Sequence, residues 1–310
     1  MPSLNAAMLG ADAAARQAAA QQFGKKGSID DLGFYHTVFQ GKIVSAIDPV
    51  AYPEKLSALL QALELSDFSL ILADAPSQAL GETIVALDLL GKKEAAFVSQ
   101  MDLSAFTKGT CLEGAPVFPD FDEAKKFSLE KESPSPQGDA LVAIDHCFEV
   151  KGVGTVALGF VKRGTVNIHD KLNAYPLGKE IEVKSIQMND ADVKSAPAGS
   201  RVGFCLKNAT SDEIGRGAVL AKSATVAKDF DCTVTLSKFS KTTIMDGVAL
   251  HLSAGLQFEP CRVYCAAEIK PGASGKARIS FDKPVVLAEK MLLCDLNARG
   301  LRVIGSAAQA

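Results

Sequence analysis

Apolar and β-branched positions between Phe148 and Leu172 fall at Phe148, Val150, Val153, Val156, Leu158 and Phe160, broken by glycines. This pattern predicts two strands joined by a tight turn at Gly152 and Gly154, where φ > 0 or close backbone approach is needed. Arg163-Gly164 then turns the chain into Thr165–Ile168, which alternates with the period of a half-buried strand, and His169-Asp170 closes it with turn chemistry. From Asp229 onward, short alternating runs recur between turns, clearest at Ala249–Leu252 and Ala277–Phe281, and predict a further β-barrel.

The first 130 residues carry a different rhythm. Strands are predicted at Ser3–Gly10, Lys42–Ala46, Phe68–Ala73 and Ala95–Val98. Helices are predicted at Ala11–Phe23, Leu56–Leu65 and Ser77–Leu90, the last stopped by Gly91. Strand and helix in alternation point to an α/β unit with a parallel sheet. The stretch 127–139 is polar with two Ser-Pro steps, which bias against helix. The expected organisation is an α/β domain over residues 1–130, a linker at 131–139, one β-barrel over 140–225 and a second over 226–310.

Composition narrows the class. Hydrophobic content of 47% with 22% charged residues is ordinary for a globular chain. Seven cysteines without a CxxC pair predict reduced, mostly buried thiols rather than zinc or disulfides. No window approaches a membrane span, and no basic leader precedes an apolar run, so a soluble cytoplasmic protein is expected. The net charge of −3 hides an asymmetry: residues 1–137 balance to −7 and residues 138–310 to +4. A mildly basic second half is compatible with RNA contact, and equally with solvated surface.

An ordered series of motifs then sharpens the picture. Val153-Gly154-Thr155-Val156 is followed by Gly159–Gly164, Asp170-Lys171-Leu172, Glu182–Met188, Ala198–Gly203 and Ile214–Leu220. This series resembles the second domain of translational GTPases, of the elongation factor Tu group and, more closely, the archaeal selenocysteine-specific elongation factor group. The resemblance implies a P-loop-GTPase-like parallel α/β domain followed by two β-barrels. Gly247–Gly255, Ala277–Leu287 and Leu301–Gly305 resemble the third domain of the same group. The chain ends at Ala310, just after that pattern, so the function of the family's C-terminal extension is expected to be absent.

The resemblance also locates a nucleotide site, and there the sequence departs from it. The family's phosphate loop, G-H-V-D-H-G-K-[ST], corresponds to Gly10-Ala11-Asp12-Ala13-Ala14-Ala15-Arg16-Gln17. The first glycine is kept. Ala15 adds a Cβ where backbone must approach phosphate, Arg16 replaces a compact ammonium with a planar fork, and Gln17 replaces the magnesium-binding hydroxyl. Asp12 adds a negative charge to the loop. The family's D-x-P-G-H falls at Asp48–Tyr52, with Ala51 for the glycine and Tyr52 for the water-orienting histidine. The guanine-reading N-K-x-D falls at Ser99–Asp102 and keeps only Asp102. Gly10, Arg16, Asp48 and Asp102 therefore mark a vestigial nucleotide site, and a tight turn and loop caps account for the retained glycine and aspartates ahead of residual nucleotide binding.

No catalytic residue, metal site or cofactor is expected. The four histidines lack metal or triad spacing. The resemblance implies barrels that hold the aminoacyl end and T stem of tRNA. The basic residues there (Lys162, Arg163, Arg201, Lys207, Arg216, Arg262 and Arg302) are by default solvated surface. The preferred expectation is a monomeric, elongation-factor-like protein without GTP hydrolysis. It would bind tRNA, the ribosome or a translation partner through its barrels, with no role for DNA or membrane. Two alternatives stay open: an active factor that binds GTP or GDP with Mg²⁺ and delivers an aminoacyl-tRNA, and a protein-interaction scaffold without RNA.

Overall fold

The computed structural model describes residues 2–309. The first unit contains β1 (Ser3–Gly10), α1 (Ala13–Gln21), β2 (Lys25–Ile29), β3 (Gly33–Phe39), β4 (Lys42–Asp48), α2 (Leu56–Leu65) and β5 (Phe68–Leu72). It continues through α3 (Gln78–Leu90), β6 (Ala95–Val98), α4 (Ser104–Thr107), β7 (Val117–Phe118) and α5 (Phe121–Leu129). The strands form one sheet in the order β2-β3-β4-β1-β5-β6-β7. From β4 to β7 all neighbours are parallel, whereas β3 pairs antiparallel with both β4 and β2. The sequence reading placed no strand between Phe23 and Lys42. There β2 and β3 widen the sheet by a hairpin that reaches toward the second unit.

Every residue of β1 is buried, as a central parallel strand covered on both faces requires. Its alternate side chains divide two cores. Ala7 and Leu9 pack under α2 and α3, while Leu4, Ala6 and Met8 face α1 and α5. Helix α1 starts at Asp12, whose carboxylate accepts from the N–H groups of Ala14 and Ala15 at 2.8 and 3.1 Å. Helix α3 starts at Ser77, whose hydroxyl accepts from Leu80 N.

The second unit comprises β8 (Leu141–Val150), β9 (Gly154–Arg163), β10 (Thr165–Asn167), β11 (Lys171–Tyr175), β12 (Lys179–Met188), β13 (Ala191–Val193), β14 (Ser195–Pro197), β15 (Arg201–Lys207) and β16 (Val219–Ala221). Strand β11 bonds both β16 and β12, which closes a six-stranded barrel; β10 and β14 form a separate ribbon. The third unit contains β17 (Val226–Leu236), β18 (Val248–Ala254), β19 (Gln257–Tyr264), β20 (Ser274–Val286), β21 (Met291–Cys294) and β22 (Val303–Gln309). These strands close a second barrel in the order β17-β20-β19-β18-β21-β22. The architecture is a parallel-core α/β unit followed by two closed barrels.

The units are packed together. The core beneath α2 and α3 runs without a break into Leu256, Leu292, Cys294 and Val303 of the second barrel, and into Ala143 and Phe160 of the first. The Ser-Pro segment lies bound along β1: Ser133 N donates to Ser3 O at 2.7 Å and Asn5 N to the Ser133 hydroxyl at 3.0 Å.

Candidate functional site

The loop after β1 and the loop after β4 meet at Arg16. This side chain is fully buried, an exceptional place for an arginine unless it is paired. Nε donates to Asp48 Oδ1 at 3.0 Å. Nη1 donates to Gly10 O at 2.6 Å and Ala11 O at 3.5 Å, and Nη2 donates to Pro49 O at 3.1 Å and Tyr52 O at 2.7 Å. All five guanidinium donors are thus directed at acceptors within the chain. Burial pushes the Asp48 carboxyl up, and Arg16 pulls against that shift. Asp48 is therefore the buried counter-ion of Arg16 and not a loop cap, which corrects the bland expectation for it.

Gly10 sits at φ +149°, and a Cβ there would stand 2.7 Å from Leu72 O. The glycine thus serves the close approach of β1 to β5. Asp12 occupies the N–H groups that open α1. Asp102 lies apart from these groups, exposed, and accepts from Ser104 N at 2.9 Å. That bond holds its carboxyl below the usual range. The four marked residues therefore do not converge: Gly10, Arg16 and Asp48 form one cluster, and Asp102 lies in the turn before α4.

Tyr52 extends the cluster. It is buried, and its one hydroxyl proton is shared between Glu82 Oε2 at 3.0 Å and Ala79 O at 3.1 Å. Glu82 has no exposed surface. It accepts from Arg302 of the third unit three times: from the backbone N at 3.0 Å, Nε at 2.8 Å and Nη2 at 2.7 Å. Burial alone would raise the Glu82 carboxyl, but these bonds outweigh it and hold it below the ordinary range. Burial and then Glu82 push the Tyr52 phenol up, so it remains a neutral donor.

A second polar seam joins the first and second units. Asp145, buried on β8, accepts both Nη atoms of Arg201 at 3.2 Å. The Arg201 guanidinium lies 3.8 Å over the Phe34 ring, a cation–π contact from barrel to hairpin. His146 sits between Asp145 and Asp30, 3.0 Å from each, and Arg216 also bonds Asp30. Beside it a cavity of about 260 Å³ is lined by Ser28, His36, Gln187, Asn189 and Arg201 among others. Solvated surface was the default for Lys162, Arg201, Arg216 and Arg302. The structure corrects this. Each is drawn into an interdomain contact, Lys162 by donating to Glu64 O at 2.5 Å at the C-terminal end of α2. Lys207 and Arg262 stay at the surface, bonded to Glu182 and Gly247 O, and Arg163 donates to Asp139 O. Among the described residues no cluster of three or more His, Cys, Asp or Glu could hold a metal ion, and no helix is long and apolar enough to cross a membrane.

Residues 154–221 match the family model described as elongation factor Tu domain 2. An uncharacterized protein of Methanocaldococcus jannaschii is 32% identical, over 92% of this chain and 94% of its own length. The selenocysteine-specific elongation factor of the same organism is 26% identical, over 91% of this chain and 71% of its own. The chain belongs to the translational GTPase-like family. The fold agrees with elongation factor SelB of Methanococcus maripaludis, solved with the GTP analogue GppNHp. That structure superposes with a TM-score of 0.85 over 100% of this chain and 79% of the other, at 19% identity.

Within this translational GTPase-like chain the residue missed from sequence is Glu82, the partner of Arg302. One signal was available: a glutamate inside a helix whose other buried positions, Thr83 apart, are apolar. The partner lies 220 residues away, where no local pattern reaches.

Proposed function

We propose that this protein is an elongation-factor-like member of its family that does not hydrolyse GTP. It acts through its barrels on tRNA, the ribosome or a translation partner, with the α/β unit as a rigid wing. The observation that carries this reading is the state of Arg16. Where the family resemblance expects a lysine reaching for phosphate, the guanidinium is buried and its five donors are spent on Asp48 and four carbonyls. The neighbouring N–H groups of α1 are held by Asp12. The residues present do not fit a magnesium nucleotide: the phosphate donors are engaged, and Gln17 offers no small hydroxyl for the metal. Relatives named as selenocysteine-specific elongation factors support a translation partner, and Arg163, Lys207 and Arg262 are the basic barrel residues that stay at the surface.

The test is titration with fluorescent GTP and GDP, with and without Mg²⁺, beside an active elongation factor. No binding up to millimolar nucleotide is expected. Micromolar, guanine-selective, Mg²⁺-dependent binding overturns the proposal. For the partner, tRNA affinity measured across a salt series is expected to fall linearly in log–log form, as counter-ion release requires. Affinity that is absent or independent of salt favours the scaffold alternative.

A further inference from the structure

We infer that the third unit is latched onto the first by Arg302 and Glu82, and that this latch is coupled through Tyr52 to the loop that covers Arg16, so the protein works in one fixed domain arrangement. Three observations converge on α3. The first is the saturation of Glu82. Its carboxylate, without exposed surface, accepts three bonds from Arg302, one from Tyr52 and one from Gln78. A buried carboxylate is tolerated only when so satisfied, and the satisfaction here comes mostly from another domain. Gln78, one turn earlier, also donates to Gly300 O at 2.7 Å.

The second observation is steric. Gly81 lies in the interior of α3, where glycine lowers helix stability relative to alanine. A Cβ at Gly81 would stand 3.0 Å from Leu301 Cδ2. The glycine makes the notch into which Leu301 of the third unit fits. The third is apolar continuity: the core of the first unit extends into Leu256, Leu292, Cys294 and Val303, and Gln61 of α2 donates to Leu256 O at 2.8 Å inside this seam.

The coupling runs through one residue. Tyr52 gives its hydroxyl to Glu82 and its carbonyl to Arg16 Nη2 at 2.7 Å. Pro49 O binds the same Nη2. The loop after β4 is therefore held by Arg16 through two carbonyls and, through the Tyr52 hydroxyl, by the same Glu82 that Arg302 binds. The domain arrangement is set by side chains, and a ligand with equal affinity for two arrangements could not shift it.

The test uses the full chain. Wild type, Arg302→Met, Arg302→Lys, Glu82→Gln and Gly81→Val are compared by small-angle X-ray scattering and calorimetry, with and without added GTP or GDP. Wild type is expected to show one unfolding transition and one scattering profile in every condition. Arg302→Met and Gly81→Val are expected to split the transition in two and enlarge the radius of gyration, while Arg302→Lys falls between. Limited proteolysis in the loop 49–55 reads the coupling and is expected to quicken in Arg302→Met by tenfold or more. Glu82→Gln replaces one acceptor oxygen by an amide donor that faces Arg302 and Tyr52, and is expected to fall with Arg302→Lys; far-UV circular dichroism of every variant, expected to match wild type, controls for loss of folding. Folded variants with one transition, an unchanged profile and unchanged cleavage would overturn the latch. A wild-type profile that changes with nucleotide overturns the fixed arrangement, whereas nucleotide binding that leaves the profile unchanged sinks only the proposed function.

Discussion

The Tyr52 hydroxyl donates to Glu82 at 3.0 Å, across a seam in which Glu82 is already bound by Arg302. A tyrosine standing where the family resemblance expects a water-orienting histidine has become a brace between the loop after β4 and a domain contact. Tyr52→Phe keeps the ring and removes the hydroxyl bond shared between Glu82 and Ala79 O. Loss of about 1–2 kcal/mol is expected, because Glu82 retains its arginine. Urea unfolding measures it, and an unchanged midpoint would show the hydroxyl to be idle.

Arg16→Met should be harsher. It leaves Asp48 buried, 2% exposed, without its counter-ion. Removal of one partner from a buried pair costs about 3–5 kcal/mol. The loss depends on pH with a definite sign. Burial already raises the Asp48 carboxyl, and without Arg16 nothing opposes that shift. A folded-state value above the unfolded one means that stability is kept at low pH and lost as pH rises through the folded value. Urea midpoints from pH 4 to 8 should therefore fall for Arg16→Met relative to wild type, and Arg16→Met/Asp48→Asn should remove the slope. A flat difference would contradict the pairing.

Gly10→Ala probes the retained glycine separately from any ligand. Its φ of +149° and the 2.7 Å approach to Leu72 O both oppose a side chain. A loss of about 1–3 kcal/mol is expected from backbone strain, read by thermal unfolding. No loss would mean that β1 and β5 can part without consequence.

The sequence revealed the elements far better than the contacts between them. Leu56–Leu65 is a helix at the bounds read from its periodicity, and the Gly152–Gly154 turn joins β8 to β9 as its glycines imply. Both are short-range patterns of period and turn chemistry. The 25–39 hairpin escaped because β2, Lys-Lys-Gly-Ser-Ile, is an exposed edge with little apolar alternation. The arginines escaped for another reason. Arg201, Arg216 and Arg302 look like surface charge until the fold brings Asp145, Asp30 and Glu82 opposite them. At the nucleotide position the substitutions were legible at Ala15, Arg16 and Gln17. The bonding of Arg16 to Asp48 was not, because it depends on two loops meeting.

His36 offers the last prediction. Its ring lies on Phe34 in the seam between the hairpin and the first barrel, with Nδ1 3.2 Å from the Ser45 hydroxyl. Burial, then the Arg201 guanidinium, lowers its pKa to about 4, with Asp145 pulling the other way. The unfolded chain therefore binds this proton below pH 6.5 while the folded chain refuses it until about 4. Stability from this group is fully present above pH 6.5 and is lost as pH falls through that window. The loss by pH 4 is about 3 kcal/mol. His36→Gln keeps a polar group near Ser45 and cannot take up the proton. The difference in urea-unfolding free energy between wild type and His36→Gln should be flat above pH 6.5 and swing toward the variant between 6.5 and 4. Ionisable groups common to both proteins cancel in the difference. A difference that stays constant across the window would place His36 in water and not in the seam.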